Sequence, residues 1–557
     1  MHVILSTGIA GLTGAVSYAI YQTFIRPRFN PLARLAGPES PGLFNSDLAP
    51  VLSANISAQV HEIYTNAYGR SIRIRGMGPW DDRLLTLDPA SVSHVLKNST
   101  VYEKPWQSRK LISSLIGCGM LAAEGQMHKR QRRVATPAFS IQNLRALIPL
   151  VFRKGTELRD RWLELAMQQP EKEGIRLDVC HWVSRATFDV IGVAGFDYQF
   201  NAIQNEDNEL FHAYKDMFEI GISQGSALST AIIVYAPWLA KIFPNKISRT
   251  IDRCQEVINR VAGKLIQEKK HKIEEGQKSG VPYAGRDLLS LLLKSNVAVD
   301  LPADQRISDE DILNNVSTFM FAGSDTSSLT VTWTLWLLAQ HPEVQSRLRN
   351  EMLAALPGVS LNDISQFTED EIQTLYNTLA NLPLLDKVVR ECIRVIPPVH
   401  SSIRVATQDD EIPVDYPVRL RDGTIDTKKS VSVSKGTFIH VAVEGFNLDK
   451  TFWGDDAWEF KPDRWDDLPE AARQLPGLFS NTLTFSAGPR SCIGLRFSLI
   501  EIKSFIYTLV STFVFKPTDD KIVKSNVVLT RPYLSKRSEE GSQCPLIVIP
   551  YNPSDSG

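Results

Sequence analysis

Apolar side chains recur every three or four positions over most of this chain, and strict alternation is confined to short runs. The pattern predicts a mostly α fold with a smaller β part. Residues 144–274 are largely helical by this period, with breaks near 169–174, near 201–208 and at Pro244. Two alternating runs, 71–75 and 83–87, flank Gly76, Gly78 and Pro79 and read as a hairpin. Asp88-Pro89 then opens a helix through Leu96. Ser308-Asp309-Glu310-Asp311 is an N-cap signal for a helix running unbroken to Gln340, where Pro342 begins the next. At 1.5 Å per residue it spans roughly 48 Å, enough to cross a large domain. A helix over 384–396 is stopped by Pro397-Pro398, and 412–443 reads as strands with turns at Asp422-Gly423 and Lys435-Gly436-Thr437. Residues 101–124 look irregular, and the polar stretch 269–285 reads as a surface loop.

The N-terminus has a different texture. Residues 3–25 form an uncharged, mostly apolar run long enough to cross a bilayer as a helix. Arg26, Arg28 and Arg34 follow at once, which by the positive-inside rule leaves the remainder in the cytosol. The alternative, a cleaved signal peptide, lacks a basic n-region and an A-x-A site, and the apolar region is too long for it. Pro27, Pro31, Pro38 and Pro41 with Gly37 and Gly42 make residues 26–50 a stiff linker, and 51–557 the globular body. With 43% hydrophobic residues and a net charge of −1 over 557 residues, that body has ample core and no basic stripe for nucleic acid. Six cysteines are scattered without a C-x-x-C pair, which is neither a zinc site nor a disulfide framework and fits a reducing compartment.

Three stretches carry candidate chemistry. Phe485-Ser486-Ala487-Gly488-Pro489-Arg490-Ser491-Cys492-Ile493-Gly494 precedes an apolar helical run over 495–509. A sulfur there feels the positive end of the helix dipole and nearby N–H groups, which favour a thiolate. Gly488 supplies a turn, Gly494 lets backbone approach a flat ligand, and Arg490 can clamp a carboxylate. One cysteine cannot hold zinc or an iron–sulfur cluster, but it can be the proximal ligand of haem iron. In the middle of the long helix lies Ala322-Gly323-Ser324-Asp325-Thr326-Ser327, where a glycine costing about 1 kcal/mol needs a packing or functional reason. In the basic run 125–133, His128 and Arg132 share one helix face, and Lys129 and Arg133 the next.

F-x-x-G-x-R-x-C-x-G, matched at every fixed position, resembles the haem-binding signature of the cytochrome P-450 monooxygenases. A-G-x-D-T-[TS] resembles the oxygen-activation motif of the same family, and Phe460-Lys461-Pro462-Asp463-Arg464-Trp465 its F-x-P-x-R-[FW]. The resemblance implies the P-450 fold, haem b held by Cys492 as axial iron ligand, and O2 as co-substrate. It further implies that Arg490, Arg132, Arg404 and His128 face the haem propionates, His128 standing where the family has tryptophan. Phe485, Gly488, Gly494 and Ala322 would shape the haem site, and Asp325 with Thr326 would deliver protons during oxygen activation. Glu391, Arg394 and Arg464 are implied to form a buried structural trio.

No dinucleotide or flavin motif is present, so the family resemblance implies electrons from NADPH through a separate NADPH-cytochrome reductase, with a cytochrome b-type donor as a further source. Lys129, Arg130 and Arg133 would offer such a donor a basic docking face. The implied setting is the endoplasmic reticulum membrane, single-pass, with a cytosolic catalytic domain and no nucleic-acid partner. The substrate would be an apolar small molecule partitioning from the lipid bilayer. Gly285-Arg286-Asp287-Leu288-Leu289 looks like fungal members, many of which decorate terpenoid or other secondary-metabolite skeletons. The substrate pocket is expected from 101–120, 319–322, 399–402 and 527–530, under a lid over 200–258. The competing readings are a haem-thiolate isomerase or dehydratase, against which the Asp325–Thr326 pair argues, a fatty-acid or sterol hydroxylase, and a non-catalytic haem or lipid binder.

Overall fold

The computed structural model describes residues 13–14, 16–18, 20–39, 45–78, 80–169, 174–218, 235, 246–279, 285–296, 302–356 and 366–552. Helices dominate, with small sheets, and the chain divides into two units that each draw on separated segments. The first comprises Met1–Pro105, Val399–Trp458 and Leu468–Ser491; the second comprises Trp106–Pro398, Glu459–Asp467 and Cys492–Gly557.

The second unit is built around the long helix, Asp309–Gln340. Its start is a full capping box: the Ser308 hydroxyl accepts from the Asp311 N–H at 3.1 Å, and the Asp311 carboxylate accepts from the Ser308 N–H at 3.1 Å. Apolar residues surround this helix almost completely, so it is buried on nearly all sides, as a core helix must be. It packs against the Val179–Phe196 and Leu495–Thr512 helices. A Cβ on Gly323 would come within 2.8 Å of Ile191, so the mid-helix glycine allows close helix–helix approach. Phe513–Pro517, Pro545–Pro550 and Ile175–Asp178 form a three-stranded antiparallel sheet, and Ile522–Val527 pairs with Leu529–Leu534 as a separate ribbon.

The first unit carries the larger sheet, in the order Ser71–Arg75, Asp82–Thr86, Phe438–Val441, Ser402–Ala406, Tyr102–Glu103. The expected hairpin forms with Ile72 opposite Leu85, and Asp82–Thr86 pairs in parallel with Phe438–Val441. The Asp88 carboxylate caps the Pro89–Lys97 helix, accepting from the Ser91 N–H at 3.1 Å. Residues 31–37 are strapped down: Leu32 and Leu35 are buried, and Leu35 forms an antiparallel bridge with Leu420. The Ala36 N–H donates to the Arg419 carbonyl at 2.9 Å and the Arg421 N–H to the Arg34 carbonyl at 2.8 Å. The strap comes from the Val418–Arg419 and Ile425–Asp426 ribbon, turned at Gly423 with φ +86°.

Two expectations are corrected. Residues 101–124 are not irregular, because Trp106–Ile116 is a helix. Apart from Trp106 at its start, its apolar positions, Leu111, Ile112, Leu115 and Ile116, fall in the C-terminal half, so the polar stretch 107–110 hides the period. Nor is 269–285 a loop: Lys246–Ser279 is one helix that continues through 269–279. Strong helix formers and i,i+4 pairs such as Lys264–Glu268 and His271–Glu275 sustain it where the apolar pattern thins. Lys269 is buried there, donating to Asp197 at 2.9 Å and Asp287 at 3.0 Å. Among the described residues no helix is long and apolar enough to cross a membrane. Most of the expected 3–25 span, residues 40–44 of the linker, and residues 219–234 and 236–245 of the expected lid, with Pro244, lie outside the described residues.

Candidate active site

The long helix opens to solvent at one place. Ala322 is exposed and residues 323–326 are half-buried, whereas Phe321 before them and Ser327 after them are buried. Small side chains leave a notch in an otherwise enclosed helix. The Thr326 hydroxyl donates to the Ala322 carbonyl at 2.8 Å, one turn back. A hydroxyl spends one proton that way and keeps acceptor lone pairs for the notch. Asp325, next along, receives a charged hydrogen bond from the Arg531 guanidinium.

Cys492 lies three residues before the Leu495–Thr512 helix, with Gly494 as its N-cap. The thiol is exposed, and the N–H groups of Gly494 and Leu495 bond to the sulfur. Although the side chain reaches solvent, the protein packed around the sulfur desolvates it and pushes the thiol up, and those N–H groups with the Arg132 guanidinium offset only part of this. Desolvation therefore outweighs the helix-end groups, which favour the thiolate but need the charge of a metal cation beside them. Burial pushes Cys180 and Cys392 up to about 12. A Cβ on Gly494 would meet only the Cys492 sulfur, at 3.9 Å, so that side of the loop is open.

Arg132 belongs to the Gly125–Ala135 helix, where burial lowers its guanidinium and the Cys492 sulfur pulls it back up. His128, one turn earlier, is buried on the same face. Lys129 and Arg133 are exposed, but Arg133 donates to Gln305 at 2.6 Å and Arg130 to the Asp304 carbonyl at 3.4 Å, so the basic face is partly engaged. Glu391 accepts from Arg394 at 2.9 and 2.8 Å, from Arg464 at 3.2 Å and from the Lys461 N–H at 3.0 Å, and the Glu391, Arg394 and Arg464 side chains are fully or nearly buried. The trio implied by the motifs is thus assembled.

In the first unit, Phe485 stands edge-on to Phe479 at 5.7 Å. Gly488 has φ +68°, and a Cβ there would lie 2.5 Å from the Leu96 carbonyl, so both conformation and space demand glycine. Arg490 ends the Gly488–Arg490 turn, half-buried. Arg404, on the Ser402–Ala406 strand, is 6% exposed and donates to the Ser402 hydroxyl at 2.6 Å and the Ile403 carbonyl at 2.9 Å. No carboxylate pairs with it among the described residues, and burial lowers its guanidinium to about 10. A buried cation without a counter-ion is costly and suits an anionic ligand.

Two residues that the motifs do not reveal belong to the second unit's site. Arg531 holds Asp325, and Glu501 is fully buried near Ser327 with neither carboxylate oxygen bonded in good geometry. The available signal was a lone charge in an apolar run: Glu501 between Ile500 and Ile502, Arg531 in the buried strand Leu529–Leu534.

These donors fit an iron porphyrin, which needs a soft axial ligand, cations for its carboxylates and a face of small residues. Within the second unit these are Cys492, Arg132 and the notch at 322–326. A family model described as Cytochrome P450 matches residues 48–536. Cytochrome P450 monooxygenases 205 and 128 of Postia placenta are each 36% identical to the chain, covering 99% and 97% of it and 99% and 96% of their own lengths. A ganoderic acid synthetase of Ganoderma lucidum is 32% identical over 82% of the chain and 83% of its own length.

Proposed function

Because the chain belongs to the cytochrome P450 family of haem monooxygenases, we propose that it inserts one oxygen atom of O2 into an apolar small molecule, with Cys492 as the axial iron ligand. Haem b, which the family implies, supplies dioxygen activation when bound, drawing on electrons from a reductase partner. The carrying observation is Cys492 itself: an exposed thiol in the signature loop, with the Gly494 and Leu495 N–H groups and Arg132 turned toward its sulfur. Those groups hold the sulfur as an anion once a cation is bound. Arg132, Arg404, Arg490 and His128 bind and orient the cofactor's carboxylates, and Phe485, Gly488, Gly494 and Ala322 shape the surfaces against its ring. Asp325 and Thr326 hold and pass protons at the notch. The Glu391–Arg394–Arg464 cluster keeps the core beneath in register.

The electron source is an NADPH-cytochrome reductase or a cytochrome b-type donor, docking on the exposed Lys129 and Arg133. Residues 1–25 anchor the chain once through the endoplasmic reticulum membrane, 26–50 link the anchor, and 51–557 work in the cytosol. The substrate is a terpenoid-like intermediate of secondary metabolism, a reading supported by the relative named as a ganoderic acid synthetase. The test is Cys492→Ser in the full chain co-expressed with a fungal reductase. The variant should hold haem loosely and lose the red-shifted band of the reduced carbon monoxide complex. Persistence of that band, with its loss on changing another cysteine, would sink the assignment.

A further inference from the structure

Asp325 lies between two environments. At 100° per residue it is about 60° round the helix from Ala322 on one side and about 60° from Ser328 on the other. Ala322 belongs to the notch; Ser328, with Ser324, lines a small recess on the helix flank. Its lining is mixed: Phe188, Phe211, Phe321 and Leu329 give it apolar walls, and a few polar side chains converge among them. His181 and Ser184 reach it from the Val179–Phe196 helix, Lys215 from Glu209–Phe218, and Arg531 from the Leu529–Leu534 strand. His181 is a quarter exposed, so the recess has a titratable group in contact with solvent.

The strand that presents Arg531 is fixed from both sides. The Trp333 indole N–H donates to the Thr530 carbonyl at 2.9 Å. The Thr530 N–H and hydroxyl donate to the Pro398 and Pro397 carbonyls at 2.8 Å each. Arg531 is 7% exposed, and its guanidinium is bonded to Asp325. A flexible surface arginine would give a weak, wandering pair; one on a pinned strand gives a carboxylate with a set direction.

We propose that Arg531 is a positioning residue that aims Asp325 into this recess, so that protons for the reaction are collected from the His181–Ser184–Lys215 side and handed across the helix to the Thr326 notch. A proton enters from solvent, rests on the Asp325 carboxylate, leaves toward the notch and is replaced by the next from solvent. The Arg531 guanidinium holds the direction of the carboxylate between transfers. This rests on the proton-delivery reading of Asp325 proposed above.

The experiment uses the haem-loaded full chain with its reductase. Arg531→Gln should bind carbon monoxide normally yet lower product per NADPH on the order of tenfold, which corresponds to about 1.4 kcal/mol of misplaced proton transfer. It should raise the solvent isotope effect, and Arg531→Lys, which keeps the charge, should restore most of both. Asp325→Asn combined with Arg531→Gln should lose no more than Asp325→Asn alone, because both act on one relay. Apart from turnover, the infrared difference against Asp325→Asn should show the Asp325 carboxylate band shifted in Arg531→Gln, where the guanidinium hydrogen bond is lost. Normal coupling in Arg531→Gln, additive losses in the double variant, or an unshifted carboxyl band would each overturn the inference. If Asp325→Asn itself leaves coupling intact, the delivery reading fails; if only Arg531→Gln does, the positioning role fails.

Discussion

Replacing Glu501 by glutamine tests whether the core behind the notch holds a protonated acid. Glu501 is fully buried, and burial raises its carboxyl from 4.5 to about 8, the Ser327 hydroxyl easing this only slightly. The neutral form is therefore favoured in the folded state and the ionised form in the unfolded state near neutral pH. The folded chain binds the extra proton, so stability falls as pH rises from about 4.5 and levels off above about 8. With 1.36 kcal/mol per unit, the lost stability is about 1 kcal/mol at pH 5 and about 3 kcal/mol at pH 7. Glutamine cannot ionise, so Glu501→Gln removes this slope while leaving a pH-independent cost of an unbonded amide, about 1–3 kcal/mol. Denaturant unfolding of the full chain in detergent, followed by tryptophan fluorescence between pH 5 and 8, should show the variant gaining on the parent by about 2 kcal/mol as pH rises from 5 to 7. Parallel pH dependences in the two proteins would refute the argument, because the carboxyl would then titrate alike folded and unfolded.

Glu391→Ala leaves Arg394 and Arg464 buried without their shared carboxylate and should destabilise by about 3–5 kcal/mol, read as lost yield and a lower unfolding midpoint. A near-neutral result would mean the cluster is ornamental. Arg404→Leu removes a buried cation that has no carboxylate partner among the described residues, so the haem-free chain should be no less stable while haem passes faster to a scavenging protein; unchanged haem transfer would count against an anion at that site. Thr326→Ala should bind haem and substrate yet return less product per NADPH. Normal coupling would reduce its hydroxyl to the back-bond on Ala322.

Much of the frame was legible because its signals are local. Ser308 and Asp311 announce the long helix three residues apart and cap it as expected. Asp88-Pro89 and the alternation around Gly76 and Gly78 place a helix and a hairpin within two or three residues of where they lie. The family motifs also marked Glu391, Arg394 and Arg464, whose contacts then assembled. What stayed hidden depends on distant partners or uneven pattern. Nothing near Asp325 points to Arg531, which comes from a strand far down the chain. The Trp106–Ile116 helix crowds most of its apolar positions into one end, and the charged end of Lys246–Ser279 owes its helix to propensity and paired charges rather than to a buried face.

The strap over residues 31–37 bears on the order in which this chain can fold. Leu32 and Leu35 bury against partners that include Leu420, roughly 400 positions later, a contact of very high order. At 5–20 residues per second, synthesis reaches that ribbon roughly 20–80 s after the leucines have been made. The first unit is assembled from three chain segments, whereas the largest segment of the second, Trp106–Pro398, is already complete before Val399 is added. The first unit therefore cannot close until Val399–Trp458 and Leu468–Ser491 have been made, and for that interval its two leucines have to be kept from other apolar surfaces.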